Sequence, residues 1–208
     1  MSHHGDTLPM TLPEKGVSVP PIKQYNKTGA VLEGGEQINF DSVIFCTGYS
    51  PRFSFMDESC KMNVKDRRVG HLYKMIIHTQ TPNLFFMGMY YYNSFPRLAA
   101  TQAKFMLSYL KGTADVPSLE KMEEEVEEEF AEHIKSGQAP KLFHQLAYNQ
   151  AKYADEIARL GNFEPGKKVY WKMLDKVLDT LLLDKDMINM RTRRFEAIND
   201  DDFEVIQD

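Results

Sequence analysis

The sequence predicts an α/β protein, a β-meander and buried strands followed by a helical carboxyl-terminal region, and three observations carry that expectation. Two short apolar runs, Val43-Ile44-Phe45-Cys46 and Leu84-Phe85-Phe86-Met87-Gly88-Met89, each meet a glycine at or just beyond their end. Runs of that length, rich in β-branched and aromatic residues, read as strands buried on both faces. Three strand-like pieces lie upstream, Ile22 to Tyr25, Ala30 to Leu32 and Gln37 to Phe40, separated by Asn26-Lys27-Thr28-Gly29 and Glu33-Gly34-Gly35-Glu36. Strands punctuated by glycine turns make an antiparallel meander. Beyond Ser94 the apolar residues recur every three or four positions, the period of a packed helix.

Taken in order, Met1 to Val19 carries Pro9 and Pro13 without a period and reads as loop. Ser2-His3-His4 is too sparse for a metal pair. Val43 to Cys46 stops at Thr47-Gly48, and Pro51 turns the chain away. Small residues at the carboxyl end of a strand allow close approach of a ligand or another backbone. Phe53 to Asp66 reads as loop and Val69 to Ile77 as one or two short strands. Gly88 leaves room at the end of the second buried run. Tyr90-Tyr91-Tyr92 then packs an interface in preference to lining a pocket, because three consecutive side chains cannot face one cavity.

Ser94-Phe95-Pro96 opens a helix. Ser94 suits the cap and Pro96 the first turn, where a missing N–H is harmless. Gly112 ends the helix. Its first turn presents unpaired N–H groups and the positive end of the dipole to whatever lies beyond the strand. Glu120 to Ile134 is an acidic helix whose Leu119, Met122, Val126, Phe130 and Ile134 face a core, leaving the carboxylates as its solvated side. Leu142 to Leu160 and Val169 to Leu183 are further amphipathic helices, and the Asp-rich tail reads as frayed.

Composition narrows the function. The 208 residues carry 42% hydrophobic and 12% aromatic side chains, as a folded protein does. A net charge of −5 argues against nucleic acid. No apolar run reaches the length of a membrane helix, and the amino terminus has no secretory-signal pattern. Cys46 and Cys60 have no metal or redox spacing, which favours a reducing compartment: cytoplasmic, with a peripheral position on the endoplasmic reticulum as the alternative. The six histidines form no ligand pattern. No residue is a catalytic nucleophile, general base or metal ligand by its spacing.

Several motifs carry a family resemblance. Phe45-Cys46-Thr47-Gly48-Tyr49 resembles the Phe-Ala-Thr-Gly-Tyr signature of the flavin-containing monooxygenases, with Cys46 in place of alanine. Ser2-His3-His4 resembles a strand end in that family's NADPH domain, and Leu72-Tyr73-Lys74 its Leu-Tyr-Lys triplet. Pro96 with Gln102-Ala103-Lys104 is similar to its Pro-x-x-x-x-x-Gln-Ala-(Arg/Lys) pattern. Tyr153-Ala154-Asp155-Glu156-Ile157-Ala158 is similar to its Asp-Tyr-x-Asp-Glu-Leu-Ala segment, followed by Gly161 and Pro165.

The resemblance implies the carboxyl-terminal part of a flavoprotein with two dinucleotide-binding domains. Residues 1–48 would end the NADPH-binding domain, 49–115 return to the FAD-binding domain, and 116–208 form helices packed on the latter. It implies FAD and NADPH as cofactors, O2 as co-substrate, and N- or S-oxygenation of a small amine or sulfide, with a homo-oligomer compatible. Thr47, Gly48 and Tyr49 would link the domains. Gly88, Phe95, Pro96 and Gln102 would face the flavin, Gln102 by direct contact; the alternative for Gln102 is a solvated helix position. The family's two Gly-x-Gly-x-x-Gly phosphate turns do not occur in these residues, so little activity is expected of this chain alone. Membrane anchoring, known in mammalian members, has no counterpart here. A non-catalytic interaction module using acidic helices is the second reading, and a relative of the disulfide reductases, lacking any cysteine pair, the third.

Overall fold

The computed structural model describes residues 16–91, 95–180 and 193–207. They fall into two compact units, residues 16–49 with Thr180, and residues 50–179 with 193–207.

The smaller unit is the expected meander. Strands β1 (Ile22–Tyr25), β2 (Gly29–Leu32) and β3 (Gln37–Asn39) pair antiparallel in that order. Asn26 Oδ1 accepts from the Thr28 N–H at 3.0 Å, the local bond that makes Asn a turn residue. Gly29 has a packing reason to lack a side chain: a Cβ there would lie 1.9 Å from the Ile38 carbonyl oxygen. Ala30 and Leu32 are fully buried.

The first apolar run departs from expectation. Residues 43–46 form no strand among the described residues, and Ile44 and Phe45 are 85% and 70% exposed. A strand buried in a parallel sheet needs a hydrogen-bonding neighbour and a covering layer, and none of the described strands pairs with this segment. Phe45 instead sets its ring edge against Tyr25, centroids 6.0 Å apart.

The larger unit is built on short antiparallel ribbons and four helices. Strands β4 (Val64–Lys65) and β5 (Arg68–Val69) form a hairpin, as do β6 (Leu72–Tyr73) and β7 (Ile77–His78). Residues 53–66, expected as loop throughout, thus contain a strand and a 3-10 turn, Glu58–Cys60. The second apolar run is also not a regular strand. It follows the β6–β7 ribbon irregularly, with one bridge from Phe85 to Ile77 and the Phe86 N–H on the Ile76 carbonyl. Phe86 is buried and Met87 is 45% exposed, so the run is buried only in part.

The helices are α1 (Phe95–Leu110), α2 (Leu119–Lys135), α3 (Gln150–Leu160) and α4 (Lys168–Asp179). Ser118 caps α2 by accepting from the Lys121 N–H. The helix expected from Leu142 starts only at Gln150. The preceding chain makes two 3-10 turns, Pro140–Leu142 and Ala147–Asn149, and Ala147 takes a left-handed backbone (φ 45) that no helix continues. The Asp-rich tail is ordered. Strands β8 (Arg193–Ala197) and β9 (Phe203–Gln207) form a hairpin whose turn is held by Asn199 Oδ1, accepting from the Asp201 and Asp202 N–H groups. That hairpin packs on α4, with the Asp200 carbonyl accepting from the Val169 N–H.

One core, including Tyr73, Ile76, Leu98, Phe105, Met122, Tyr153, Ile157 and Trp171, joins the β6–β7 ribbon to all four helices. Ser2-His3-His4, Tyr92, Ser94, the Phe95 side chain and Leu181 to Leu183 lie outside the described residues or side chains.

Candidate functional site

The site grows from Gly88. Its backbone is left-handed (φ 73), the conformation glycine adopts without strain, and it re-aims the chain leaving Phe86. The Gly88 N–H donates to Gln102 Oε1 at 2.9 Å, so the turn is fastened to the second and third turns of α1. Gln102 is fully buried, which excludes the solvated alternative. Its Nε2 donates to the Tyr153 hydroxyl at 2.7 Å, and that hydroxyl donates to the Lys74 carbonyl at 2.7 Å. Four groups distant in sequence thus form one hydrogen-bonded relay from the Gly88 turn through α1 and α3 to the β6–β7 loop.

The far end of the relay is ionic. Lys74 and Met75 both take left-handed backbones (φ 50 and 57), which turns Lys74 into the protein instead of outward. Its Nζ reaches Glu129 on α2 at 2.6 Å and Glu156 on α3 at 2.9 Å. Burial pulls the Lys74 ammonium toward neutrality, but the two carboxylates outweigh it and hold its pKa above the ordinary lysine value. Burial pushes the Tyr153 phenol strongly up, well beyond any physiological pH, so it is a fixed donor. Tyr73 and Tyr90 are pushed up to about 12 by the same cause. These groups position the chain; none is poised to move a proton near neutrality.

A second polar cluster faces α2. Glu123 accepts from the Thr79 hydroxyl and pairs with His71 Nδ1 at 2.6 Å. Burial raises its pKa, but those two bonds prevail and the net direction is down. His144 is buried, and its Nε2 accepts the Val69 N–H at 3.0 Å, which places the remaining proton on Nδ1. Burial, then the Arg68 charge, lowers its pKa to about 4. No group of three metal-ligating side chains converges among the described residues.

The expected site residues are therefore distributed as follows. Gly88 and Gln102 are bonded to each other. Phe95 and Pro96 open the same helix as Gln102, with Pro96 exposed. Thr47, Gly48 and Tyr49 belong to the smaller unit, outside any strand, with Gly48 left-handed (φ 81) and Tyr49 91% exposed. Tyr153, Lys74 and Glu156 went without a role in the sequence reading. Their signal was there, because Leu72-Tyr73-Lys74 and Tyr153 to Ala158 are the two motifs that meet.

Antiparallel ribbons packed on helices, with the Gly88 turn bonded to the middle of α1, belong to a fragment of a mixed α/β fold of the dinucleotide-binding type. Two solved structures share it: S-allyl-L-cysteine S-oxygenase from Allium sativum (TM-score 0.70, 22% identity, covering 85% of this chain and 43% of that one), and Tmm from Pelagibacter sp. strain HTCC7211 (TM-score 0.66, 20% identity, 89% and 41%). The chain belongs to the flavin-binding monooxygenase-like family, whose sequence profile matches residues 4–178. Among curated relatives, flavin-containing monooxygenase FMO GS-OX5 of Arabidopsis thaliana is 30% identical over 149 residues, 71% of this chain and 32% of that protein. FMO GS-OX-like 8 of the same plant is 29% identical over 204 residues, 91% of this chain and 40% of that protein. The chain thus spans between about a third and two fifths of the length of these relatives.

Proposed function

We propose that this chain is the carboxyl-terminal part of a monooxygenase that uses FAD, NADPH and O2 to oxygenate the nitrogen or sulfur of a small amine or sulfide. The observation that carries the reading is the Gly88–Gln102 bond. It holds a side-chain-free turn against the helix that begins at Phe95, and a residue without a side chain is the kind that lets a flat ring approach main chain. The residues present suit the ring end of a flavin. They do not suit its diphosphate, because no glycine-rich phosphate turn occurs in the sequence.

The bound flavin would supply the redox and oxygen-transfer chemistry. The chain's own part is positional. Gly88 gives clearance, the first turn of α1 offers N–H groups and a positive dipole end to negative charge, and Gln102 fixes their spacing. Phe95 and Pro96 start that turn where it is needed. Thr47, Gly48 and Tyr49 form the connection between domains. Substrate class, NADPH use and weak activity of the isolated chain are part of the same proposal.

The reading of α2 as an acidic docking surface is less well supported. Three of its carboxylates, Glu123, Glu127 and Glu129, are already paired with His71, Arg68 and Lys74 of this chain.

The test is a fusion supplying the missing phosphate turns, the amino-terminal portion of FMO GS-OX5 joined ahead of this chain. Retention of FAD through desalting, and FAD-dependent NADPH oxidation coupled to oxygenation of a methyl sulfide, are expected. Gly88→Val should lose the flavin band. A folded fusion that retains no flavin would overturn the reading.

A further inference from the structure

The larger unit holds an open cleft of about 1040 Å³, lined by none of the residues of the Gly88 turn. Its lining combines two chemistries. Phe53, Met62 and Pro140 give an apolar floor. Phe53 and Met62 pack against a small core of Val69, Leu72 and Phe86, and the Phe53 ring meets Phe86 edge-on at 5.3 Å. Arg52, Arg67 and Lys141 stand around that floor, with Asp66 the single carboxylate. The lining is cationic in a chain whose net charge is −5, so the composition of the whole does not account for it.

Arg67 is a cation of this lining with no ion pair among the described residues. It sits with Asp66 in the two-residue turn of the β4–β5 hairpin, both left-handed (φ 50 and 65). That turn favours Asn-Gly, and a long side chain at its second position is held there under strain of about 1 kcal/mol. The guanidinium lies 5.4 Å from the Tyr91 ring centre, and its Nε is buried with no hydrogen-bond acceptor among the described residues. That Nε has no accessible surface and stays out of reach of a ligand; the part of the side chain that lines the cleft, with no carboxylate paired to it among the described residues, is what an oxyanion would meet. The Nε of Arg68 next to it is likewise buried without an acceptor among the described residues, but the Arg68 guanidinium is paired with Glu127 at 2.5 Å and lies over the Phe130 ring at 3.8 Å. Of the two adjacent arginines, only Arg67 faces the cleft.

We infer that this cleft is a binding site for a small amphiphilic anion: a carboxylate, sulfonate or phosphate ester on an apolar or aromatic body, with the oxyanion on Arg67 and Lys141 and the body on Phe53 and Met62. The inference is independent of the flavin reading, since it needs neither cofactor nor oxygen.

Calorimetric titration of the whole chain with benzenesulfonate, phenyl phosphate, benzenesulfonamide and inorganic sulfate tests it. Both aromatic anions should bind saturably, with affinity on the order of tenfold above that of the neutral sulfonamide and of sulfate, and the margin should shrink with added salt. Arg67→Gln and Lys141→Gln should each reduce anion affinity on the order of tenfold, with unchanged thermal melting for Lys141→Gln, whose side chain is exposed. Phe53→Ala should weaken both the anions and the sulfonamide. Lys121→Gln, outside the cleft, should change nothing. Absence of saturable binding, equal affinity for sulfonate and sulfonamide, or indifference of the anions to both cation variants would each overturn the assignment. Preference for phenyl phosphate over benzenesulfonate would narrow the ligand to phosphate esters, and the reverse to monoanions.

Discussion

The Tyr153 hydroxyl donates to the Lys74 carbonyl at 2.7 Å across 79 residues of sequence, while the ammonium of the same Lys74 reaches Glu156, one turn further along α3, at 2.9 Å. One helix turn grips a single loop residue by its main chain and by its side chain. Because Tyr153 also accepts from Gln102, Tyr153→Phe strands two partners at once. It should cost about 1–3 kcal/mol of stability, read as a lower urea midpoint with unchanged slope. Combined with Gln102→Ala, the double variant should lose less than the sum of the single ones, since the two side chains share one bond. Strict additivity would show that the relay is not a unit.

Lys74→Met keeps the apolar stem and removes the charge. Its partners are partly exposed, 50% for Glu129 and 36% for Glu156, so water screens the pair and the expected loss is about 1–2 kcal/mol. The sign with pH follows from the raised lysine pKa. The stabilisation is complete below the ordinary lysine value and is lost only as pH rises through the still higher folded value. The difference between wild type and Lys74→Met should therefore stay constant across the neutral range. A difference that vanishes near neutrality would contradict the ion pairs.

His144 gives the opposite dependence. Its folded pKa, about 4, lies below the ordinary 6.5, so between those values the unfolded chain binds more protons and stability rises with pH. The contribution is complete above 6.5 and is lost as pH falls through that window, by about 3 kcal/mol in all. His78, lowered by burial first, and Glu123, lowered net by its bonds, act in the same direction. His144→Gln, which can still accept from Val69, should flatten the acid limb of the stability profile without abolishing it. An unchanged slope would mean that His144 titrates normally.

Gly29→Ala tests the smaller unit. A Cβ there meets the Ile38 carbonyl oxygen at 1.9 Å and the Asn39 Cα at 2.7 Å, so β2 and β3 must part. Amide exchange in the β2–β3 pairing should accelerate by on the order of tenfold or more, read by hydrogen exchange and mass spectrometry. Undisturbed protection would show that the strands can shift to admit a methyl group.

What the sequence determined by itself is what local chemistry decides. The meander is written in Asn26 to Gly29 and Gly34-Gly35, α2 in its apolar period, and the family in short motifs at Thr47-Gly48-Tyr49, Leu72-Tyr73-Lys74 and Tyr153 to Ala158. The tertiary structure decided everything that depends on a neighbour. Val43 to Cys46 has the composition of a buried strand, but a strand exists only through pairing, and none of the described strands supplies it. The tail looked frayed because single Asp residues are hydrophilic; Phe195 and Phe203 meeting across a turn, centroids 5.8 Å apart, were visible only once that turn had formed. Gln102 offered two alternatives on its own helix, and its bonds to Gly88 and Tyr153 come from residues 14 and 51 positions away. A side chain's exposure and partners are properties of the packed chain, because burial and hydrogen-bond satisfaction are settled by residues that sequence spacing cannot bring together.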